Sequence, residues 1–514
     1  MRILSLACEP WQTKMLLNVM SQLENKEKVD CHLGILDFYQ FVHNVDYINY
    51  SNFSSKSVTF HDQNELYLGW QSEFEDLKRL EIVDLESWEQ RNCRERSLSE
   101  IMMGNALTNQ WERDAYWLPV TEYWKKRVLV DTISWCEKLF SDIKPAIVLN
   151  IERAELAQSI MDLICRREDV PLLTFIPSRI GERWLLREDF GYGTSKLTKN
   201  LISEASKCEK CKSAAIEYIS NFRRNSSEGY SSFASQDRAE FLKSNQKLLK
   251  SLVKEIYLLI KDIYFRHLIV RKEMILKPVR FEENHLRFTF VKIRKLVIRY
   301  LRKAGINLWG KVSIPTESYI LWALHGRPET SVLVLGNGCD EIEKIKQVAK
   351  LLPSGVTLLV KENPVMFGTR GKNFYKELNR ITNIIVLDAY VDTYESIQKS
   401  LGVIGISGTI LLESAILGKP VCILGQPEFV SNFTYIGNLG LDKFINDLKL
   451  CTLREESNIA LEYLAYIFHN SNRQDVKYFS DPDSEGASEM ANRWANIIDV
   501  KLGRKNQSNI LKCD

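Results

Sequence analysis

Ile404-Gly-Ile-Ser-Gly-Thr-Ile-Leu-Leu-Glu-Ser-Ala-Ile-Leu-Gly-Lys-Pro-Val421 is the stretch that decides the fold. An apolar run over 402–406 breaks at Ser407-Gly408-Thr409, and helical spacing starts at once and continues to Leu417. Gly418-Lys419-Pro420 then turns the chain into a second apolar run over 421–424. Strand, tight bend, helix and strand in that order make a βαβ unit, and such units build parallel sheets. The same alternation extends upstream. Strands are predicted over 319–325, 356–361 and 384–387, and helices over 340–352, 373–381 and 393–401. The punctuation is Pro353-Ser-Gly355 and Glu362-Asn363-Pro364. This is the pattern of a doubly wound domain, in which ligands bind beyond the carboxyl ends of the strands. The residues at those ends are His325, Glu362 to Pro364, Ser407 to Thr409, and Gly425-Gln426.

The first part of the chain alternates in the same way. Strands are predicted at 3–7, 31–36, 146–150 and 172–176, with helices at 14–23, 123–140 and 154–166. Residues 45–100 are polar, aromatic and rich in turn formers, and read as an insertion over the sheet edge. Between the two α/β regions, 200–305 almost lacks glycine and carries long helical patterns at 201–222, 237–263 and 288–303. A last helix is predicted over 486–499, followed by a polar tail. The expected organisation is an N-terminal Rossmann-like domain (1–199), a basic helical insertion (200–310), a C-terminal Rossmann-like domain (311–480), and a closing helix and tail (481–514).

Composition excludes several classes. A length of 514 residues exceeds one ordinary core. Hydrophobic residues at 45% and charged residues at 26% are ordinary for a globular protein. The net charge of +3 names no partner. Locally, 261–303 is rich in Lys and Arg interleaved with aliphatic residues. That is either a solvated helix face or a surface for an anionic membrane. No recognition module accompanies the charge, so nucleic acid is not an expected partner. The 11 cysteines are scattered and odd in number, which fits a reducing compartment better than a disulfide framework. The one close pair, Cys208-Glu-Lys-Cys211, has no second Cys-x-x-Cys or His-x-x-x-His nearby, so it reads as two thiols on a helix rather than a zinc site. The start, Arg2 to Ala7, reads as a first strand rather than an export signal. No stretch is apolar enough to span a bilayer. The expected location is cytoplasmic, with peripheral contact at the inner face of the cytoplasmic membrane.

Three constellations carry chemistry. The first is the Ser407-Gly408-Thr409 bend. Gly408 lets the backbone pass close to a ligand. The free N–H groups at the helix start, together with the Ser407 and Thr409 hydroxyls, suit a phosphate, and Glu413 one turn later can meet a ribose hydroxyl. An N-cap without a ligand is the plainer alternative. The second is Leu358-Leu-Val-Lys-Glu-Asn-Pro364, where Lys361 can neutralise phosphate and Asn363 can both donate and accept; an ion pair closing the strand is its alternative. The third is Leu324-His-Gly-Arg-Pro-Glu-Thr-Ser331. There His325 is a candidate general acid/base or phosphate donor, and Arg327 is a forked cation. In the first domain Glu9, after the first strand, is the candidate base for an acceptor hydroxyl, with Glu152 and Glu155 as rivals. Arg179 and Arg183 are candidates for an anionic acceptor. No Asp-x-Asp pair sits in a loop after a strand, so neither metal nor cofactor is required.

The run from about 319 to 430 resembles the bacterial capsule and surface-polysaccharide biosynthesis proteins, glycosyltransferases of GT-B-like design. Their pattern is a His-x-x-Pro-Glu segment, then Lys-Glu-His-Pro, then Gly-Thr or Ser-Thr followed by Glu-Ala and Gly-Lys-Pro-Val. This chain has His325, Pro328 and Glu329; Lys361-Glu362-Asn363-Pro364; and Ser407-Gly408-Thr409, Glu413-Ser414-Ala415 and Gly418-Lys419-Pro420-Val421. Phe175 to Arg183 is similar to the corresponding post-strand loop of the first domain. Asn363 departs from the pattern, because it stands where many relatives carry the histidine that contacts a cytidine nucleotide. That leaves the nucleotide open. The resemblance implies two Rossmann-like domains facing a cleft. It also implies sugar transfer from a nucleotide-sugar to a polysaccharide or lipid-linked glycan. A sugar-nucleotide epimerase and a non-catalytic assembly protein on the same fold are the alternatives.

Overall fold

A computed structural model describes residues 1–7, 10–24, 29–36, 58–62, 84–93, 97–103, 122–151, 155–180, 183–187, 202–203, 205–224, 256–257, 260–261, 264, 285–306, 308–326, 334–336, 340–370, 373–430, 433–470 and 485–503. The first unit contains β1 (Arg2–Ala7), α1 (Pro10–Glu24), β2 (Asp30–Ile35), β3 (Val58–Asp62), α2 (Leu85–Asn92), α3 (Leu98–Met103), α4 (Glu122–Ile143), β4 (Ile147–Ile151), α5 (Leu156–Arg167), β5 (Leu172–Pro177) and β6 (Trp184–Arg187). Among the described residues the helices α6 (Glu209–Arg224) and α7 (His285–Lys303) follow. The second unit contains β7 (Tyr319–Ala323), α8 (Glu341–Leu351), β8 (Thr357–Lys361), α9 (Phe374–Leu378), β9 (Ile384–Leu387), α10 (Thr393–Lys399), β10 (Gly402–Gly405), α11 (Thr409–Ile416), β11 (Val421–Ile423), β12 (Tyr435–Ile436), α12 (Gly437–Lys449) and α13 (Ser457–Asn470); α14 (Glu485–Lys501) closes the chain.

Each unit is built on a six-stranded sheet, in the orders β3-β2-β1-β4-β5-β6 and β12-β11-β10-β7-β8-β9. Numbered within their own units, both are the 3-2-1-4-5-6 order of a Rossmann fold. All pairings are parallel except β5 with β6. The fold is therefore two Rossmann-like α/β units with added helices, as expected from the sequence.

Strand periodicity explains the layers. On β1, Leu4 and Leu6 face a core shared with α4 and α5, while Ile3 and Ala7 face one shared with α1 and α14. On β7, Tyr319 and Leu321 point to one core and Ile320 and Trp322 to the other. A sheet covered on both faces needs apolar residues at every position, which is why these strands read as continuous runs.

The carboxyl ends of the two sheets meet. Arg179, after β5, is ion-paired to Glu428, after β11 (Nε to Oε1 2.7 Å). Arg187 donates from Nη1 to the Glu428 carbonyl (2.8 Å), and the Arg183 guanidinium lies 4.8 Å from the Phe468 ring centre.

α7 lies against the second unit and uses part of its basic charge there. Lys295 Nζ donates to Val365 O (2.6 Å) and Arg294 Nε to Gly368 O (2.9 Å). Arg302 pairs with buried Asp388 (2.8 Å). Gly368 has φ +85°, and a Cβ there would stand 3.0 Å from the Lys295 Cα, so the helix can approach only a glycine. Most of the predicted helix over 237–263 falls outside the described residues. No described helix is long and apolar enough to cross a membrane.

Candidate functional site

Strand order reverses in the second sheet between β7 and β10, the place where open α/β sheets generally bind ligands beyond the carboxyl ends of their strands. His325 follows β7 and Ser407 follows β10, so the topology brings together residues far apart in sequence. The Ser407 N–H points at His325 Nε2 (3.5 Å). On the other side of the ring, His325 Nδ1 is 3.0 Å from Glu341 Oε1, which also accepts from the His325 backbone N–H (3.2 Å) and from Trp322 Nε1 (3.3 Å). A carboxylate only accepts, so Nδ1 carries the proton and Nε2 turns its lone pair to the bend.

α11 begins at this bend. Its cap, Gly408, has no side chain to bond the first amides. The N–H groups of Thr409 and Ile410 have no hydrogen-bond partner among the described residues, and Gly408, Thr409 and Ile410 are partly exposed. Ser407 is fully buried. The bend is thus open at its amides, which suits an anion; the neighbouring imidazole offers a lone pair there and becomes an anion donor only on taking a proton at Nε2.

A buried charge network supports it from below. Arg370 pairs through Nε with Glu362 Oε2 (2.6 Å), donates through Nη2 to the His325 carbonyl (2.7 Å), and comes within 4.0 Å of Glu341 Oε2. Tyr375 donates to the same Glu362 oxygen, and burial pushes its hydroxyl well up from the ordinary tyrosine range. Glu362 Oε1 accepts from the Asn363 N–H (2.6 Å). Two carboxylates around one guanidinium form a charge-balanced unit that fixes the His325 segment, although Arg370 Nη1 and Glu341 Oε2 face each other at 4.0 Å without a hydrogen bond. Arg370 and Glu341 drew no attention in the sequence, since no local motif marks either.

The other predicted site residues fall as follows. Lys361 is buried, its ammonium donating to Ala389 O (2.9 Å) and lying 3.5 Å from Glu362 O. Asn363 Oδ1 accepts from the Val365 N–H (3.0 Å), capping a short 3-10 turn that begins at Pro364. Glu413 is half-buried. Burial pushes its carboxyl up to about 7 while the Tyr394 hydroxyl bond pulls the other way. Its charge also raises the Tyr218 hydroxyl, which burial holds at about 12. Arg179 and Arg183 sit in the contact between the units. Glu155 caps α5 through a reciprocal box with Gln158. Glu9, Glu152, Arg327 and Glu329 lie outside the described residues. Two surface hollows, one at Asp340, Lys344 and Asp442 and one at Arg302, Tyr390 and Lys399, do not include the bend.

No protein-family model and no curated protein matches the chain. Solved structures do. Staphylococcus aureus MnaA in complex with UDP is 11% identical over 98% of this chain and 97% of its own, with a TM-score of 0.25. The UDP-GlcNAc 2-epimerase of Neisseria meningitidis, bound to UDP-GlcNAc, is 12% identical over 98% and 100%, with a TM-score of 0.24. KpsC of Thermosulfurimonas dismutans, a β-Kdo 2,4 transferase, is 13% identical over 62% and 79%, with a TM-score of 0.28. The fold assignment rests on the strand orders above, not on these scores.

Proposed function

We propose that the chain is a glycosyltransferase moving a sugar from a nucleotide-sugar to a surface polysaccharide or glycolipid acceptor. The observation that carries this reading is the open helix start at Thr409 and Ile410, placed at the reversal of strand order and flanked by His325. In the reaction an acceptor oxygen bonds to the anomeric carbon, the bond from that carbon to the phosphate oxygen breaks, and the nucleotide leaves with the electron pair. The charge that develops on the leaving phosphate meets the two amides, which are already oriented, so little reorganisation is needed. A proton taken from solvent at His325 Nε2 replaces the Ser407 N–H contact and lets the ring donate to the same phosphate, with Glu341 stabilising the imidazolium from behind. Glu413 takes the ribose hydroxyls, and Arg327, Glu329, Lys361, Glu362, Asn363 and Pro364 shape or support the donor side. A carboxylate of the first unit, Glu9 foremost, accepts the acceptor proton. Arg183 serves the acceptor side, and Arg179, paired with Glu428, fixes the segment that carries it. The helix α7 exposes Ile293 and Val297 within a basic stretch and rests the enzyme on anionic lipid bearing the acceptor.

A thermal-shift screen against UDP-, GDP-, dTDP- and CMP-sugars tests the reading. One nucleotide class is expected to raise the melting temperature, and the Thr409→Pro variant, which removes one amide, is expected to lose most of that shift. Absence of any shift, or conversion of the nucleotide-sugar with no acceptor present, would sink the transferase reading.

A further inference from the structure

α6 and α13 pack side by side, and their ends bring three metal-type donors together. Cys208 precedes the first residue of α6, Cys211 lies in its first turn, and His469 sits in the last turn of α13. Cys211 Sγ is 3.7 Å from His469 Nδ1 and 2.8 Å from Cys208 Sγ, and the three donor atoms lie within 4.8 Å of one another. Cys211 is buried, while Cys208 and His469 are partly exposed. We propose that Cys208, Cys211 and His469 bind one zinc ion through two thiolates and an imidazole nitrogen, with water in the fourth position.

The donor chemistry fits a thiophilic ion that prefers four ligands. With Zn–S of about 2.3 Å and Zn–N of about 2.0 Å, a tetrahedral ion holds sulfur and nitrogen about 3.5 Å apart and two sulfurs about 3.8 Å apart. The observed 3.7 Å between Cys211 and His469 is within about 0.2 Å of the first edge, and the three donors, all within 4.8 Å, need only a small inward shift to share one ion. The 2.8 Å sulfur pair is shorter than the second edge and longer than the roughly 2.05 Å of a disulfide. A small rotation of the partly exposed Cys208 side chain opens it. The helix start also favours thiolate: the Cys211 N–H donates to Cys208 Sγ (3.3 Å), and the positive end of the α6 dipole faces both sulfurs. The partial exposure of Cys208 and His469 gives the ion a way in and leaves room for the water.

The site lies where the architecture gains from a pin. The ligands are 258 residues apart, so one ion ties the helical insertion to the end of the second unit. Phe468, next to His469, carries the Arg183 guanidinium of the first unit. At its far end α6 holds α11, through Arg223 Nε to Ile416 O (2.7 Å). Zinc would thereby fix the helix that backs the phosphate-type bend. The site does not depend on the transferase reading, and its test needs no substrate.

The full-length chain, produced without a histidine tag and purified under reducing, metal-free buffers, would be assayed for bound metal. About one zinc per chain is expected, and Cys208→Ser, Cys211→Ser and His469→Ala should each lower it at least tenfold. Cys451→Ser, an exposed cysteine elsewhere, should leave the content unchanged. A variant that fails to fold does not remove the test, because the wild-type chain supplies a second one. After a chelator, two additional thiols should react with a thiol reagent, and one equivalent of zinc should protect them again. Cobalt in place of zinc should give thiolate-to-metal charge-transfer absorption and tetrahedral d–d bands. Three results would overturn the site: wild-type protein without zinc whose thiols zinc does not protect, zinc content indifferent to all three substitutions, or a Cys208–Cys211 disulfide in protein kept reducing throughout.

Discussion

A methyl group on Gly408 would stand 3.3 Å from His325 Nε2 and 3.5 Å from Ile410 Cγ2. The backbone there, φ −66° and ψ 154°, accepts any residue, so alanine tests space at the imidazole rather than conformation. Gly408→Ala is expected to weaken nucleotide-sugar binding about tenfold, or about 1.4 kcal/mol, with little change in melting temperature; isothermal titration and calorimetry read the two separately. Glu413 gives a pH test. Its folded pKa, about 7, lies above the ordinary 4.5. The folded state therefore binds a proton between those values that the unfolded state has released. The resulting stability is complete below about 4.5 and is lost as pH rises through about 7. Glu413→Gln removes the titration, so the variant should gain on wild type from pH 5 to pH 8 by on the order of 2 kcal/mol. Urea unfolding at several pH values measures it, and a difference independent of pH would refute the burial argument.

Among the elements, those with a clear period were legible before any coordinates. Val19, Met20 and Leu23 define the buried side of α1, and 384–387 is β9. The weak elements were not. β6 has four residues and follows a turn at Arg179, whose φ is +65°; the sequence assigns it no element, because so short a run carries no period. α12 and α13 also escaped notice. The Lys361-Glu362-Asn363-Pro364 segment was visible as a motif, but its contacts were not. Lys361 and Glu362 turn to Ala389 and Arg370, and only the packing of β8 against its neighbours selects those partners. The same dependence predicts the effect of removing Arg370. Arg370→Met would leave Glu341 and Glu362 buried without their shared cation and the His325 carbonyl without its donor. A loss of about 3–5 kcal/mol is expected, larger than for an exposed ion pair. Chemical denaturation of the whole chain measures it.

At the scale of the molecule, the helix over 486–499 was legible and its destination was not. α14 leaves the second unit and covers the first sheet, with Trp494 4.0 Å from the Phe175 ring centre and 6.5 Å from that of Trp184. Sequence shows that a face is apolar, but not which of two sheets it covers. The chain thus crosses between the units more than once, and the contact of Arg179 with Glu428 lies on the seam. Both side chains are mostly shielded, at 18% and 7% exposure, so the pair acts in a low dielectric. Glu428→Gln removes the charge but keeps the backbone carbonyl that accepts from Arg187. The donor groups at Ser407 to Ile410 and His325 belong to the second unit alone. If the chain is the transferase proposed above, transfer requires a carboxylate of the first unit to be held against them. Nucleotide-sugar affinity should therefore stay within about twofold of wild type while kcat falls about three- to tenfold, since misplacement penalises the reacting geometry rather than donor binding. Arg179→Met should give a similar loss, and the double variant should lose less than the two single losses combined. Equal losses in donor affinity and kcat would mean that the seam carries part of the donor site itself.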